Sequence, residues 1–352
     1  MVKTSNKFLM RALGISFLFG MSSVSFADIV MNSNPNQANL SWSSEEANQL
    51  LNADVSASAE LADEPSPQGS TKVSTSIRSS NGAVQSGPSK TVQIFDTSVN
   101  AHQPSVNARA ALVMDGQTGE VLYSKNSNTA LPIASITKLM TAVVIADSRL
   151  NMSEKITLQQ GDFSCSGCKS SSSTLRAGDS MNRAEALLFA LMKSENPAAS
   201  ALARTYPGGR PAFFAAMNAK AKSLGMHSTR YVESTGLHPG NVSSARDLGI
   251  LVNTASQYGL IRQFSTTPSY DFNLGYRVLK SNNTNALVRN GGWNINISKT
   301  GYISEAGRCV VMHTTLNNRP AVVVLLGADS SAARTNDATR LMTWVSQLPK
   351  RI

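Results

Sequence analysis

The C-terminal end of the chain constrains its fold most. Residues 293–300, 308–315 and 321–326 are closely spaced runs rich in β-branched and apolar side chains, and Asn317-Asn318 falls between the last two. Two asparagines between such runs read as a tight turn joining adjacent antiparallel strands. A second such signal lies far upstream. Ala110–Asp115 and residues 120–124 are apolar runs split by Gly116-Gln-Thr-Gly119, the pattern of a β-hairpin.

Between the two groups the period changes. Residues 135–148 read as a helix, with Leu139, Val143 and Ile145 on an apolar side. Further helices are predicted over 183–192, over 211–224 with Gly225 closing the end, and over 244–256 with Asp247 in the first turn. A final helix runs over 331–348. Strands from both ends of the chain with helices between them imply an α+β fold: an antiparallel sheet flanked by helices, with an inserted helical region.

The first 105 residues do not join this pattern. Lys3, Lys7 and Arg11 precede an apolar run from Ala12 to Met21, and small residues end in Ser25-Phe26-Ala27. That order marks residues 1–27 as a secretory signal peptide cleaved after Ala27, too short in its apolar run to span a bilayer comfortably. Residues 28–105 are rich in Ser, Asn, Ala and Gln, with few large apolar side chains. Such a composition does not bury enough surface to offset ordering entropy, so a loosely ordered tether or pro-segment is expected there. The folded domain is expected over 106–352, and with no other run of about 18 apolar residues it carries no stable membrane anchor once the leader is cut.

Charge follows the same division. Residues 28–105 carry 8 acidic and 3 basic side chains, whereas 106–352 carry 26 Lys and Arg against 14 Asp and Glu, a net of +12. A basic exported domain suits an anionic polymer or surface, or simply presents a solvated basic face. No nucleic-acid-binding motif or basic–aromatic interleaving is present, so no nucleic acid partner is expected. Cys165-Ser-Gly-Cys168 lacks the two further ligands a zinc site needs, and a local disulfide is the expected use after export. Cys309, inside an apolar run, reads as a small buried side chain.

Three short motifs carry chemistry. Ser135-Ile-Thr-Lys138 opens a predicted helix, where positions three apart share a face and an amine can sit beside a hydroxyl. A lysine whose pKa is lowered by burial can take the serine proton, and the helix start offers free N–H groups. Alone, the same four residues also read as a capping serine with a solvated lysine. Ser194-Glu-Asn196 follows the second helix: its hydroxyl can relay a proton to a leaving amine and its amide can hold a substrate amide, or it is a helix-end signal. Lys299-Thr-Gly301 closes a predicted strand. There Lys299 supplies field, Thr300 a hydrogen bond and Gly301 room for close backbone approach to a carboxylate-ended peptide, the alternative being a surface turn.

In this order and on these elements, the three motifs resemble those of penicillin-binding proteins and class A β-lactamases. From about 106 to 348 the chain resembles the low-molecular-mass D-alanyl-D-alanine peptidases, in particular the soluble endopeptidase subgroup. The residues that carry this are Pro132-Ile-Ala-Ser-Ile-Thr-Lys-Leu-Met140, Ser170-Ser-Ser-Ser-Thr-Leu-Arg176, Ser194-Glu-Asn-Pro-Ala-Ala199, Gly225-Met-His and Lys299-Thr-Gly-Tyr-Ile-Ser-Glu-Ala-Gly-Arg-Cys309. Glu195 departs from the small or Asp residue common at the centre of the middle motif, and the Cys165/Cys168 pair belongs to no pattern of the family.

The resemblance implies a β-lactamase/DD-peptidase-like fold and a serine peptidase of the periplasm. Its partners would be peptidoglycan stem peptides, with β-lactam antibiotics as covalent inhibitors, and it would need no metal or organic cofactor. Ser135 would form the acyl-enzyme, with Lys138 as its base and Ser194 and Asn196 completing the catalytic group. Lys299, Thr300, Gly301 and Tyr302 would bind substrate, with the N–H groups of Ser135 and Tyr302 as oxyanion donors. Arg334 falls where relatives place a substrate-carboxylate arginine, and also reads as an ordinary helix-terminus arginine. No Glu-x-x-Leu-Asn stretch lies between Ser194 and Lys299, so long-lived acylation by penicillin is expected rather than lactamase turnover. The chain stops at Ile352 without the added β domain and amphipathic helix of the membrane-anchored carboxypeptidases. That favours a D-alanyl-D-alanine endopeptidase over a carboxypeptidase, with a non-catalytic wall-binding scaffold as the reading of another class.

Overall fold

A computed structural model describes residues 103–349. The leader over 1–27 and nearly all of the polar segment 28–105 lie outside the described residues. Five strands form one antiparallel sheet: β1 (Ala110–Asp115), β2 (Val121–Lys125), β3 (Asn294–Ile303), β4 (Gly307–Leu316) and β5 (Arg319–Ala328), in the spatial order β2-β1-β5-β4-β3. The first and last strands among the described residues therefore pair within the sheet, with Ala110 opposite Leu326 and Asp115 opposite Ala321. Asn317 and Asn318 both take positive φ, 51° and 62°, the conformation a two-residue hairpin turn requires.

Both faces of the sheet are covered, and the alternation along β5 shows why its sequence is apolar at every position. Val322, Val324 and Leu326 enter the core shared with the helical region, while Ala321, Val323 and Leu325 enter a second core under the C-terminal helix. Each fully buried Val or Leu of this kind contributes about 1.5–3 kcal/mol.

The α-helices of six residues or more among the described residues are α1 (Thr137–Asp147), α2 (Arg183–Leu188), α3 (Asn196–Arg204), α4 (Gly209–Ser223), α5 (Ala245–Ala255), α6 (Gly259–Thr266) and α7 (Ser331–Gln347). Helix α1 is buried from Thr137 to Ala146 on every side, so it is a central rather than an amphipathic helix. A 3-10 turn, Ala134–Ile136, precedes it and carries Ser135. Helix α2 begins on a capping box between Asn182 and Glu185 and continues as a π-helical turn, Phe189–Lys193, that ends at Ser194. Ser330 caps α7, accepting from the Ala333 N–H at 3.0 Å.

Several details differ from the sequence expectation. Helices α3 and α6 and the hairpin Ser269–Asn273/Val278–Asn282 were absent from it. The alanine-rich α3 carries Pro197 in its first turn, and α6 and the hairpin are too short to show a clear period. Lys299 lies in mid-strand, because β3 runs on to Ile303. Arg334 sits inside the first turn of α7. No helix among the described residues is long and apolar enough to cross a membrane.

Candidate active site

The three motifs converge where the start of α1, the loop before α3 and the edge strand β3 meet. Two close approaches make this possible. A Cβ on Gly301 would stand 3.0 Å from the Ile133 carbonyl oxygen and 3.1 Å from the Ser135 nitrogen, so glycine lets the strand pack closely against the turn that carries Ser135. A Cβ on Gly236, at φ +87°, would fall 1.9 Å from the Ala134 carbonyl oxygen. The turn is thus held between β3 and the 233–238 loop, with Ala134 itself at φ +48°.

Lys138 is fully buried, and its Nζ donates to three acceptors: Ser135 Oγ at 2.9 Å, Asn196 Oδ1 at 2.6 Å and the Thr235 carbonyl at 2.7 Å. Burial pushes its pKa down to about 7, opposed by the nearby carboxylates of Glu233 and Glu195. A neutral amine keeps two hydrogens and one lone pair. With the hydrogens on Asn196 and Thr235, the lone pair faces the Ser135 hydroxyl.

A second lysine sits opposite. Lys299 Nζ donates to Ser194 Oγ at 2.9 Å and to the Thr300 carbonyl at 2.9 Å. Its pKa lies well below the ordinary lysine value because it is buried, and because Lys138 and Arg334 add positive charge nearby. Ser194 takes a left-handed backbone, φ 65°, at the end of the π-helical turn. A non-glycine residue held there and a π-helical turn are both features that collect at functional sites. Thr300 Oγ1 donates to Thr284 Oγ1 at 2.7 Å, so that hydroxyl is oriented from behind.

Arg334 is 8% exposed and its pKa is depressed by burial and then by Arg308 and Arg289. Arg308 stacks over the Tyr302 ring, its guanidinium carbon 3.7 Å from the ring centre, and Tyr302 is half exposed beside the motif glycine. One edge of the site is therefore strongly basic.

The loop after Asp162 borders the other side. Cys165 and Cys168 form the expected disulfide within it, and Cys309 is buried and free. Asn196 Nδ2 donates to Ser171 Oγ at 2.7 Å. Glu195 accepts from Ser173 Oγ at 2.5 Å and Thr174 Oγ1 at 2.6 Å, which gives the unusual centre of the middle motif a role in anchoring this loop. Lys169 pairs with Glu305 in the β3–β4 turn. Ser171 stands out in the sequence only as part of the 170–176 stretch, and no motif marks Thr235 or Glu233. Only an acidic residue inside an otherwise uncharged loop hinted at the last of them.

A buried lysine facing a serine at the start of a buried helix, beside an antiparallel sheet, defines the serine peptidase class of penicillin-binding folds. Comparison with known proteins agrees. A family model described as D-alanyl-D-alanine carboxypeptidase matches residues 97–330. A D-alanyl-D-alanine endopeptidase of Pseudomonas aeruginosa is 47% identical over 250 residues, 69% of this chain and 78% of that protein. One from Escherichia coli is 46% identical over 248 residues, 70% of this chain and 79% of that protein. The crystal structure of a Streptomyces DD-transpeptidase superposes with a TM-score of 0.63 at 30% identity, covering 69% of this chain and 98% of that one. This chain belongs to the D-alanyl-D-alanine carboxypeptidase family.

Proposed function

We propose that this protein is a serine-type D-alanyl-D-alanine endopeptidase that opens peptide cross-links of peptidoglycan through an acyl-enzyme on Ser135. The observation that carries the chemistry is the Lys138–Ser135 contact of 2.9 Å in a setting that brings the lysine to about 7. The choice of endopeptidase rests on the two relatives of that name at 47% and 46% identity.

The residues divide the work as follows. A peptide laid along β3, the open edge of the sheet, extends it by one strand. Its scissile carbonyl then lies over Ser135, with the N–H groups of Ser135 and Tyr302 as oxyanion donors. Lys138 takes the Ser135 proton as Oγ attacks, and a tetrahedral adduct forms. Ser194, held by Lys299, relays the proton that Lys138 has taken to the leaving amine as the C–N bond breaks, which leaves Lys138 neutral and Ser194 unchanged. Water then attacks the ester with Lys138 again as base; the bond to Ser135 Oγ breaks, the acid leaves, and the proton returns from Lys138 to Oγ. Arg334 and Arg308 supply positive charge for the carboxylate beside the scissile bond, while Lys299 and Thr300 hold the same end of the substrate. The basic–apolar–small order of residues 1–27 supports export to the periplasm, where such a substrate lies. The +12 charge of residues 106–352 supports retention near an anionic wall.

The test is incubation of the wild type and Ser135→Ala with purified cross-linked muropeptide dimers, monomeric pentapeptides and labelled penicillin. Cleavage of dimers by the wild type alone, with covalent label on Ser135, is the expected result. Release of free D-alanine without dimer cleavage would establish the carboxypeptidase reading, which the matching family model favours. Rapid penicillin turnover would mark a lactamase, and equal digestion by both proteins would remove Ser135 as nucleophile.

A further inference from the structure

Glu233 is buried at 6% exposure in the loop behind Lys138, and its side chain acts only as an acceptor. Its Oε2 receives the Thr235 N–H at 2.5 Å, and its Oε1 receives the Gly236 N–H at 2.6 Å and the Asn241 amide at 2.9 Å. The His238 N–H adds a longer contact at 3.4 Å. A buried carboxylate is tolerated only with donors to satisfy it, and the donors converging on Glu233 all come from one tight turn and the asparagine that closes it, which fixes that turn.

The turn it holds is the one that touches the catalytic group. The Thr235 carbonyl takes a hydrogen of Lys138 Nζ, and Gly236 lies directly under the Ala134 carbonyl that precedes Ser135. Asn241 ties the same loop to α1, donating to Thr137 Oγ1 at 3.0 Å, and Ser234 accepts through its carbonyl from Thr141 Oγ1 at 2.8 Å. The loop is therefore a rigid floor under the Ser135–Lys138 pair, and Glu233 is its pin.

We propose that Glu233 is a positioning residue for acylation: its buried carboxylate fixes the Thr235 carbonyl that orients the Lys138 amine, and sets a negative charge behind that amine. The charged groups facing Lys138 are Glu233 from this loop, Glu195 from the residue before α3 and Lys299 from β3; its neutral neighbours are Ser135, Asn196 and the Thr235 carbonyl. Of the two carboxylates, Glu195 is engaged with Ser173 and Thr174, whereas Glu233 bonds the turn that Lys138 itself touches.

The roles separate in the pH dependence. Removing the negative charge makes the neutral amine easier to reach, so the acid limb of the acylation rate moves to lower pH. Removing the fixed turn slows acylation at every pH, and misplacement of the base by about 1 Å costs on the order of 100-fold. The experiment measures the second-order rate of Ser135 labelling by a reporter penicillin from pH 5 to 9, with thermal melting as the fold check. For folded Glu233→Gln, the plateau rate is expected to fall by at least about tenfold and the acid limb to shift down. Glu233→Asp, which keeps the charge but shortens the reach, is expected to lose plateau rate with its acid limb near the wild type. A wild-type plateau in either folded variant overturns the proposal, as does an unmoved acid limb in Glu233→Gln. Failure of both variants to fold would make Glu233 a structural residue only, which also overturns it.

Discussion

The side chains of Lys138 and Asn196, 58 positions apart, meet at 2.6 Å, with the lysine donating to the amide oxygen. Together with the Thr235 carbonyl, this contact accounts for both hydrogens of a neutral amine and leaves its lone pair for Ser135. The middle motif therefore orients the lysine of the first motif as well as carrying Ser194.

Acylation should titrate with Lys138. In the proposed mechanism Lys138 acts when neutral, and burial places its pKa at about 7. The neutral fraction grows as pH rises through that value, so the rate of penicillin labelling is expected to rise about tenfold per pH unit well below 7 and to level off above it. A rate that stays flat between pH 5.5 and 8 would show that Lys138 is not the titrating base.

Asn196→Asp should move that titration upward. The substitution keeps an acceptor for Lys138 but adds a negative charge at hydrogen-bond distance, which favours the protonated amine. The acid limb of the labelling rate is expected at higher pH than in the wild type, with activity at neutral pH correspondingly reduced. An unmoved limb would contradict the assigned contact.

Gly301→Ala should separate function from folding. The added methyl meets the Ile133 oxygen at 3.0 Å and the Ser135 nitrogen at 3.1 Å, so β3 must retreat from the nucleophile by a few tenths of an ångström. A stability loss of about 1–3 kcal/mol in denaturant unfolding and a larger proportional loss of acylation are expected. Wild-type acylation would mean that the strand edge does not border the reacting atoms.

The Cys165–Cys168 bond closes a loop of sequence separation 3. A loop that short limits its entropic effect to about 2 kcal/mol, so Cys165→Ser/Cys168→Ser should stay folded with a lower melting temperature. Because the same loop carries Ser171, which holds Asn196, acylation should slow without a shift of the acid limb. Unchanged melting and unchanged rate together would show that the disulfide contributes to neither.

Much of the fold was legible in local pattern. The strand runs, the Asn317-Asn318 turn and the Ser135 helix start are signalled by residues within a few positions of one another, where period and turn chemistry act. The π-helical end of α2 was not legible, since residues 183–192 show one continuous helical pattern. Nor was the burial of Lys138: its neighbours along the chain are ordinary helix residues, and only packing on every side of α1 removes it from water.

By itself, the amino-acid sequence determined the α+β architecture, the order of the three motifs and the chemical types available for acyl transfer. Those depend on short-range periodicity and on side-chain identity. Tertiary structure alone decided which groups surround Lys138, that Lys299 is tied to Ser194 across 105 positions, and that Glu233 bonds the turn whose Thr235 carbonyl Lys138 touches. These contacts join distant parts of the chain. Their geometry is set by how the sheet, α1 and the loops pack, and no local pattern encodes that packing.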